Sequence, residues 1–379
     1  MLPSVAEVLA RAAPRVAYGP VAGSPEARAA AAGYCERRGV PTAAEQILLA
    51  PGSKPLLAAL LDVLPGDVVI PRPSWVSYAA HAALAGKRTL SVPIGADAGG
   101  APDPAALEEA LGAARTDGLH PGILVLTLPD NPTGTQPAAA VVEEVCRVAE
   151  RHGLLIVADE IYRDLTHDPA AFRSPVEIVP ERTFVTSGLS KNMALGGWRI
   201  GFARMADGAA GVEARGAVAG VAGAVWSALA TPMQAVAAHV LGEPDDVRER
   251  VERSRALHRA VAAAAYREVD AAGIACRPPS GGFYLYPDLE ARRPALEALG
   301  VRTGAELAEH LVERHDVGVL AGAAFGDVPE GLRFRMATSL LYGSTDEERL
   351  RALDAEDPAG LPWIRSRLDR LRSALGDLA

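Results

Sequence analysis

The chain lacks the surplus of positive charge that a nucleic-acid surface needs. Its 38 lysines and arginines are outnumbered by 47 aspartates and glutamates, for a net charge of −9. Phosphate contacts by clustered cations supply most of the affinity for nucleic acid, and no such cluster is present. The arginines of "DDVRERVERSRALHRA" (245–260) alternate with acids, as on a solvated helix face. Cysteine is scarce too. Cys35, Cys146 and Cys276 are far apart, odd in number and without a CxxC pair, which argues against a disulfide framework and against a cysteine-held metal. They read as small buried hydrophobes. No apolar run approaches the ~18 residues that span a bilayer. The N-terminal "MLPSVAEVLARAAPRVAYG" has the pattern of a short amphipathic helix without the apolar centre of a signal peptide. The expectation is a cytoplasmic protein with no membrane, nucleic-acid or metal partner.

What is present is an ordinary globular composition, with 49% hydrophobic and 22% charged residues over 379 positions. That length suits two domains. Short β-branched runs recur at 46–50, 67–71, 88–92, 123–128, 154–158, 183–187 and 199–203, each read as a strand. Helical patterns at 54–64, 75–84 and 138–151 lie between them. Apolar strands alternating with helices predict an α/β sheet buried on both faces, with ligands bound beyond the strands' carboxyl ends. Past about residue 240 the pattern changes to a long charged helix (245–272), short strand-like pieces and a further helix (303–314). This predicts a smaller α+β unit, to which the N-terminal segment is the only other contributor.

The residues following each strand are therefore the ones that could do chemistry. Gly52 and Ser53 open a helix with Lys54 in its first turn, and exposed N–H groups at a helix start favour an anion. The same residues serve equally as a plain cap. Trp75 begins a helix beside a strand end, where its indole could stack on a planar ligand or simply join the core. In "LTLPDNPTGTQ", Asn131 sits in a turn directly after a strand. In "LLIVADEIYRDL", Asp159 ends an apolar strand, where a carboxylate is costly unless it meets a cation, and Tyr162 follows three positions later. "TSGLSKNMALGGWRIGF" (186–202) carries Lys191 and Arg199 in a segment otherwise poor in charge.

In order and spacing, the landmarks "PGSKPLL", "PGDVVIPRPSWVSY", "NPTG", "ADEIY", "SGLSKNMALGGWRIG", "SGGFYLYPDL" and "RFRMATS" resemble those of the fold-type-I pyridoxal-phosphate aminotransferases of class I and II, from about Tyr18 to the end. The resemblance implies a large domain over 41–240 with a mostly parallel seven-stranded sheet. It implies a small C-terminal domain over 241–379, with residues 1–40 joining the small domain and the dimer interface. It implies the cofactor pyridoxal 5'-phosphate and transfer of an amino group between an L-amino acid and a 2-oxo acid. A β-lyase, cyclase or oxidase outcome on the same scaffold stays open at this point, as does a non-catalytic relative. Lys191 would form the Schiff base, and Asp159 would pair with the ring nitrogen. Asn131 and Tyr162 would bond the ring's phenolic oxygen, and Trp75 would cover one face. Gly52, Ser53, Lys54, Ser190 and Arg199 would surround the phosphate, joined by Tyr18 from the neighbouring subunit of a homodimer. Arg333 would take the substrate carboxylate, with Asn131 and Trp75 also facing substrate.

Three features depart from the family pattern. Gly188 stands where many relatives have a phosphate-binding serine, with Ser187 as the expected substitute. Only 17 residues precede Tyr18, where relatives carry a few dozen including a segment over the substrate. The segment is either genuinely missing or lost to a misassigned start. Arg335 shares a strand face with Arg333, and could be a surface ion pair, a second anion contact or a gate.

Overall fold

The computed structural model describes residues 1–114 and 116–378. Helices α1 (Pro3–Ala12) and α2 (Pro25–Glu36) come first. The Ser24 side chain caps α2 by accepting from the Ala27 N–H, and Pro25 fits its first turn. Next come β1 (Ile47–Ala50), α3 (Ser53–Val63), β2 (Asp67–Arg72), α4 (Ser77–Leu84), β3 (Thr89–Pro93) and α5 (Pro104–Ala114). They are followed by β4 (Pro121–Thr127), α6 (Ala139–Arg151), β5 (Leu155–Asp159), β6 (Thr183–Gly188) and β7 (Gly201–Arg204). All seven strands expected from the sequence form, each displaced by no more than two residues.

These strands make one sheet in the order β1-β7-β6-β5-β4-β2-β3. Only β7 runs against its neighbours β1 and β6; the other pairings are parallel. Parallel strands need crossovers, and the crossover helices cover both faces. Alternation sorts the strand residues between the faces. Val125, Val157 and Phe184 pack under α3 and helix α7 (Gly208–Val225). Leu124, Leu126 and Ile156 pack under α5 and α6. Ala158, Val185 and Phe202 face α2 and helix α8 (Thr231–Gly242).

The remainder comprises α9 (Asp245–Ala271), β8 (Tyr284–Leu285), α10 (Arg293–Ala298), α11 (Gly304–His315), β9 (Leu320–Ala321), β10 (Phe334–Ala337), α12 (Asp346–Asp354) and α13 (Pro362–Gly376). A three-stranded sheet, β8-β10-β9, packs on these helices around Val261, Leu285, Phe334 and Leu371. Residues 1–40, expected to join this C-terminal part, share their core instead with the large sheet. Val5, Ala27 and Ala31 are buried with Leu49, Phe202, Val236 and Val240, reaching only Val247 and Val251 at the start of α9. The alanine face of α2 has no bulk to hold α8 away, so the two helices pack closely. Cys35 and Cys146 are buried and Cys276 is half-buried, all three as free thiols. Among the described residues no helix is long and apolar enough to cross a membrane.

Candidate active site

Strand register builds the floor of the site. Thr127 and Asp159 end β4 and β5 and stand in register with Thr186 of β6, on the face that carries Val125, Val157 and Phe184. The Asp159 carboxylate is 3% exposed. Its Oδ2 accepts from the Tyr78 hydroxyl of α4 at 2.9 Å, and Oδ1 from the Ile161 N–H at 3.3 Å and Thr186 Oγ1 at 3.4 Å. Thr127 Oγ1 lies 2.8 Å from the same Tyr78 hydroxyl. Burial pushes the Asp159 pKa up to about 6; the Tyr78, Ile161 and Thr186 bonds and the charge of Lys191 resist that rise. No ion pair is formed to it among the described residues, so a cation or N–H donor in the cleft would meet a prepared acceptor.

Lys191 stands on the β6–β7 loop, pinned at several points. Leu189 N–H donates to the Ile200 carbonyl, Leu195 N–H donates to the Leu189 carbonyl, and the Asn192 amide donates to Asp164 at 2.6 Å. The amine lies 5.7 Å from the Tyr162 ring centre and 5.8 Å from that of Phe283. Burial lowers its pKa; Asp159 opposes this, while Arg335, Arg199 and Lys54 reinforce it. A desolvated lysine with cationic neighbours keeps more of its amine neutral and nucleophilic.

An anion cradle lies beside it. Gly52, at φ +90°, turns the chain from β1 into α3, a conformation that favours glycine. A β-carbon there would sit 2.3 Å from Arg199 Nη2. One at Gly201 would sit 2.2 Å from the Gly52 carbonyl carbon. Arg199, itself left-handed at φ 53°, is therefore laid directly over the start of α3, where backbone N–H groups and the helix dipole favour negative charge.

The sequence-derived candidates Ser53, Lys54, Trp75, Asn131, Asp159, Tyr162, Ser190, Lys191, Arg199 and Arg335 line a single cleft of about 490 Å³. Tyr162 is buried, and its hydroxyl meets that of Tyr284 at 2.9 Å. Burial raises its pKa well above the usual tyrosine value, so it stays a donor. A larger cleft of about 610 Å³ lies among Arg37, Arg163, Arg248 and Arg255. None of the candidates lines it.

Four candidates, Ser187, Arg333, Gly52 and Tyr18, are not among the residues that line the cleft. Ser187 sits on the opposite face of β6 from Thr186, with its hydroxyl donating to the Glu160 carbonyl at 3.3 Å, so it does not replace a phosphate-binding serine. Gly188 is on the cleft face, but a β-carbon there would come 2.5 Å from the Ile200 carbonyl oxygen; the antiparallel approach of β7 leaves no room. Arg333 is not among the cleft's lining residues. Its Nε donates to Asp288 at 2.7 Å, and its Nη1 donates to both Asp327 oxygens at 3.0 and 2.9 Å. Arg335, two residues on, faces the cleft and donates to Asn131 Oδ1 at 3.0 Å, so it is no surface ion pair. Gly52 shapes the cradle from beneath, and Tyr18 projects from the surface at 95% exposure.

Tyr78, Thr127, Thr186 and Tyr284 were not singled out from sequence. The available signal was a threonine at or near the end of an apolar strand for Thr127 and Thr186, and a tyrosine three positions after Trp75 for Tyr78.

Solved structures share this arrangement of sheet and helices, the fold-type-I architecture. The aspartate aminotransferase of Thermus thermophilus with maleate aligns with TM-score 0.80 and 27% identity over 98% of this chain and 87% of that one. The chain belongs to the aminotransferase class I and II family, whose profile matches residues 2–353. Among curated relatives, the aspartate/prephenate aminotransferase of Cereibacter sphaeroides is 32% identical over 347 residues, covering 88% of this chain and 81% of its own. An aspartate aminotransferase of a Bacillus species is 31% identical over 316 residues, covering 82% and 75%. The protein is an enzyme of the transaminase type.

Proposed function

We propose that the cleft holds pyridoxal 5'-phosphate and moves an amino group between an L-amino acid and a 2-oxo acid. The observation that carries this reading is the Lys191 amine, its pKa lowered, in one cleft with the buried, unpaired Asp159 carboxylate and the Arg199–Gly52 cradle. Each matches one part of the cofactor: an aldehyde for the amine, a ring nitrogen for the carboxylate, a phosphate for the cradle.

When bound, the cofactor supplies an aldehyde that condenses with amines and a ring that accepts electron density. The chain's residues supply the rest. Lys191 would hold the cofactor covalently, then, once displaced by the substrate amine, take the proton from the substrate α-carbon and return it one position along. Asp159 would accept the ring N–H and keep that nitrogen protonated, with Tyr78, Thr127 and Thr186 fixing its orientation. Arg335 occupies the Asn131 carbonyl oxygen, which leaves the amide N–H groups to donate to the ring oxygen beside the Tyr162 hydroxyl. Trp75 would cover one ring face. Ser53, Lys54, Ser190 and Arg199 would grip the phosphate, the planar guanidinium through two oxygens.

The reading extends to a cytoplasmic homodimer in which Tyr18 reaches the neighbouring subunit's phosphate. The exposure of both Val16 (92%) and Tyr18 (95%) supports it. The test is a half-reaction. Purified protein is mixed with single amino acids while the visible band, pyridoxamine phosphate and the carbon product are followed. One equivalent of keto acid per pyridoxamine phosphate is expected, with the visible band absent in Lys191→Ala. Release of ammonia with regenerated pyridoxal phosphate would overturn transamination.

A further inference from the structure

We propose that the substrate's carboxylate is anchored by Arg335 and not by Arg333. The proposal rests on the aminotransferase reading and names the residue that recognises its amino-acid substrate.

The two arginines are neighbours on one face of β10 and its approach, yet their hydrogen-bonding capacity is used differently. A guanidinium grips a carboxylate through two parallel N–H donors. In Arg333 those donors are already taken, Nε by Asp288 and Nη1 by Asp327. The Tyr286 hydroxyl donates to the same Asp327 at 3.2 Å, which fixes that acid further. A substrate carboxylate would have to displace one of two charged partners held at bonding distance.

Arg335 shows the reverse. Its Nη1 is spent on Asn131, while its Nε is buried without any hydrogen-bond partner. Its guanidinium lies between two rings, 4.6 Å from the Tyr284 centre and 4.8 Å from that of Phe325. Stacking of this kind holds the plane of the fork while leaving its edge free. A buried donor left unpaired is costly unless a ligand completes it. No carboxylate of the chain pairs with Arg335 among the described residues, and the other cleft cations, Lys54, Lys191 and Arg199, are assigned to phosphate and amine. The bond to Asn131 places the fork beside the side chain assigned to the ring oxygen, where an α-carboxylate would lie next to the reacting carbon.

The same segment closes the site from the C-terminal side. Phe325 contributes its ring to Arg335 and its carbonyl to the Ser74 N–H at 3.0 Å, so the stack is tied to the loop that carries Trp75. Arg333 then acts as a brace, joining β10 to the segments of Asp288 and Asp327.

The experiment compares amino acids with the amines left when their α-carboxylate is removed. Holoenzyme is reacted with L-phenylalanine against 2-phenylethylamine, and L-aspartate against β-alanine, reading the rate of loss of the visible band over concentration. Wild type is expected to prefer the amino acid by about 100-fold or more, the scale of a desolvated charge-assisted pair of hydrogen bonds. In R335Q the preference should fall below 10-fold, because the carboxylate-bearing substrate loses a contact that the amine never makes. R335K should be intermediate, and it carries the test if R335Q does not fold. R333Q should keep the preference and lower the melting temperature. A collapsed preference in R333Q, or a retained one in both R335Q and R335K, overturns the proposal while leaving the aminotransferase reading intact. A wild-type holoenzyme without the visible band or the half-reaction overturns both.

Discussion

The Tyr78 hydroxyl donates to Asp159 Oδ2 at 2.9 Å while standing 2.8 Å from Thr127 Oγ1. One side chain of α4 thus orients the carboxylate at the end of β5 by leaning on the end of β4. Removing that donor leaves Asp159 buried with weaker partners, and its pKa should rise further above its present value of about 6. Tyr78→Phe is expected to cost about 1 kcal/mol of stability. The acidic limb of its kcat–pH profile should move to higher pH, while cofactor is still retained. An unmoved acidic limb would show that Asp159 is oriented by its other partners.

Stability of the cofactor-free protein carries the same signature. The folded Asp159 titrates at about 6, against ~3.9 when unfolded. Between those values the folded state binds the extra proton, so stability falls as pH rises from ~4 to ~6 and stays lower above. About two pH units correspond to ~2–3 kcal/mol. Asp159→Asn should therefore stabilise the cofactor-free protein at pH 8 by up to that amount, with little difference near pH 4. Urea midpoints at the two pH values check it.

At the cradle, glycine is required at two positions for different reasons. Gly52→Ala meets both a φ of +90° and Arg199 Nη2 at 2.3 Å. It should cost ~1–2 kcal/mol through the backbone alone and displace Arg199, lowering cofactor affinity measured by fluorescence titration. Gly188→Ser restores the serine common in the family, but its β-carbon would strike the Ile200 carbonyl 2.5 Å away. It should destabilise by ~1–3 kcal/mol without tightening cofactor binding.

Behind the lysine loop, buried Asp164 collects Tyr34 at 3.0 Å, Asn192 at 2.6 Å and Arg38 at 2.7 Å. Burial alone would raise its pKa, but Arg38, Asn192 and Tyr34 outweigh burial and hold it below the usual carboxylate range. Asp164→Ala removes one of the two acids that pair with Arg38, leaving Glu243 at 2.6 Å, and takes the buried acceptor from Tyr34 and Asn192; it should cost ~1–3 kcal/mol. Because Asn192 adjoins Lys191, the loss should also slow formation of the visible band when cofactor is added to the stripped protein. Thermal melts and reconstitution kinetics measure the two effects separately.

Much of the cleft was legible because its residues follow strands, and strands announce themselves by apolar runs. Asp159 stood out as a carboxylate closing "LLIVA", and Asn131 as a turn residue directly after β4. Lysine is rare enough to be informative: of only three in the chain, Lys54 and Lys191 line the cleft. Thr127, Thr186 and Tyr78 carry no such signal, because a threonine in a strand and a tyrosine in a helix bring no charge to explain. They matter only once register sets β4, β5 and β6 side by side.

The sequence by itself determined the order of strands and helices, the strand-end positions of the cleft residues and membership of the aminotransferase class I and II family. These follow from local patterning and from motifs whose spacing the chain carries along its length. Only the tertiary structure decided which of two similar residues faces the cleft. Alternation places Arg333 and Arg335 on one face, but Asp288 and Asp327, brought in from separate segments, pair with the first, while the second has no acid partner among the described residues and keeps its Nε without a hydrogen bond. Likewise, Ser187 and Gly188 are adjacent in sequence, and the approach of β7 fixes that only a glycine fits on the cleft side. Pairing across hundreds of residues is set by packing in three dimensions, and no local pattern records it.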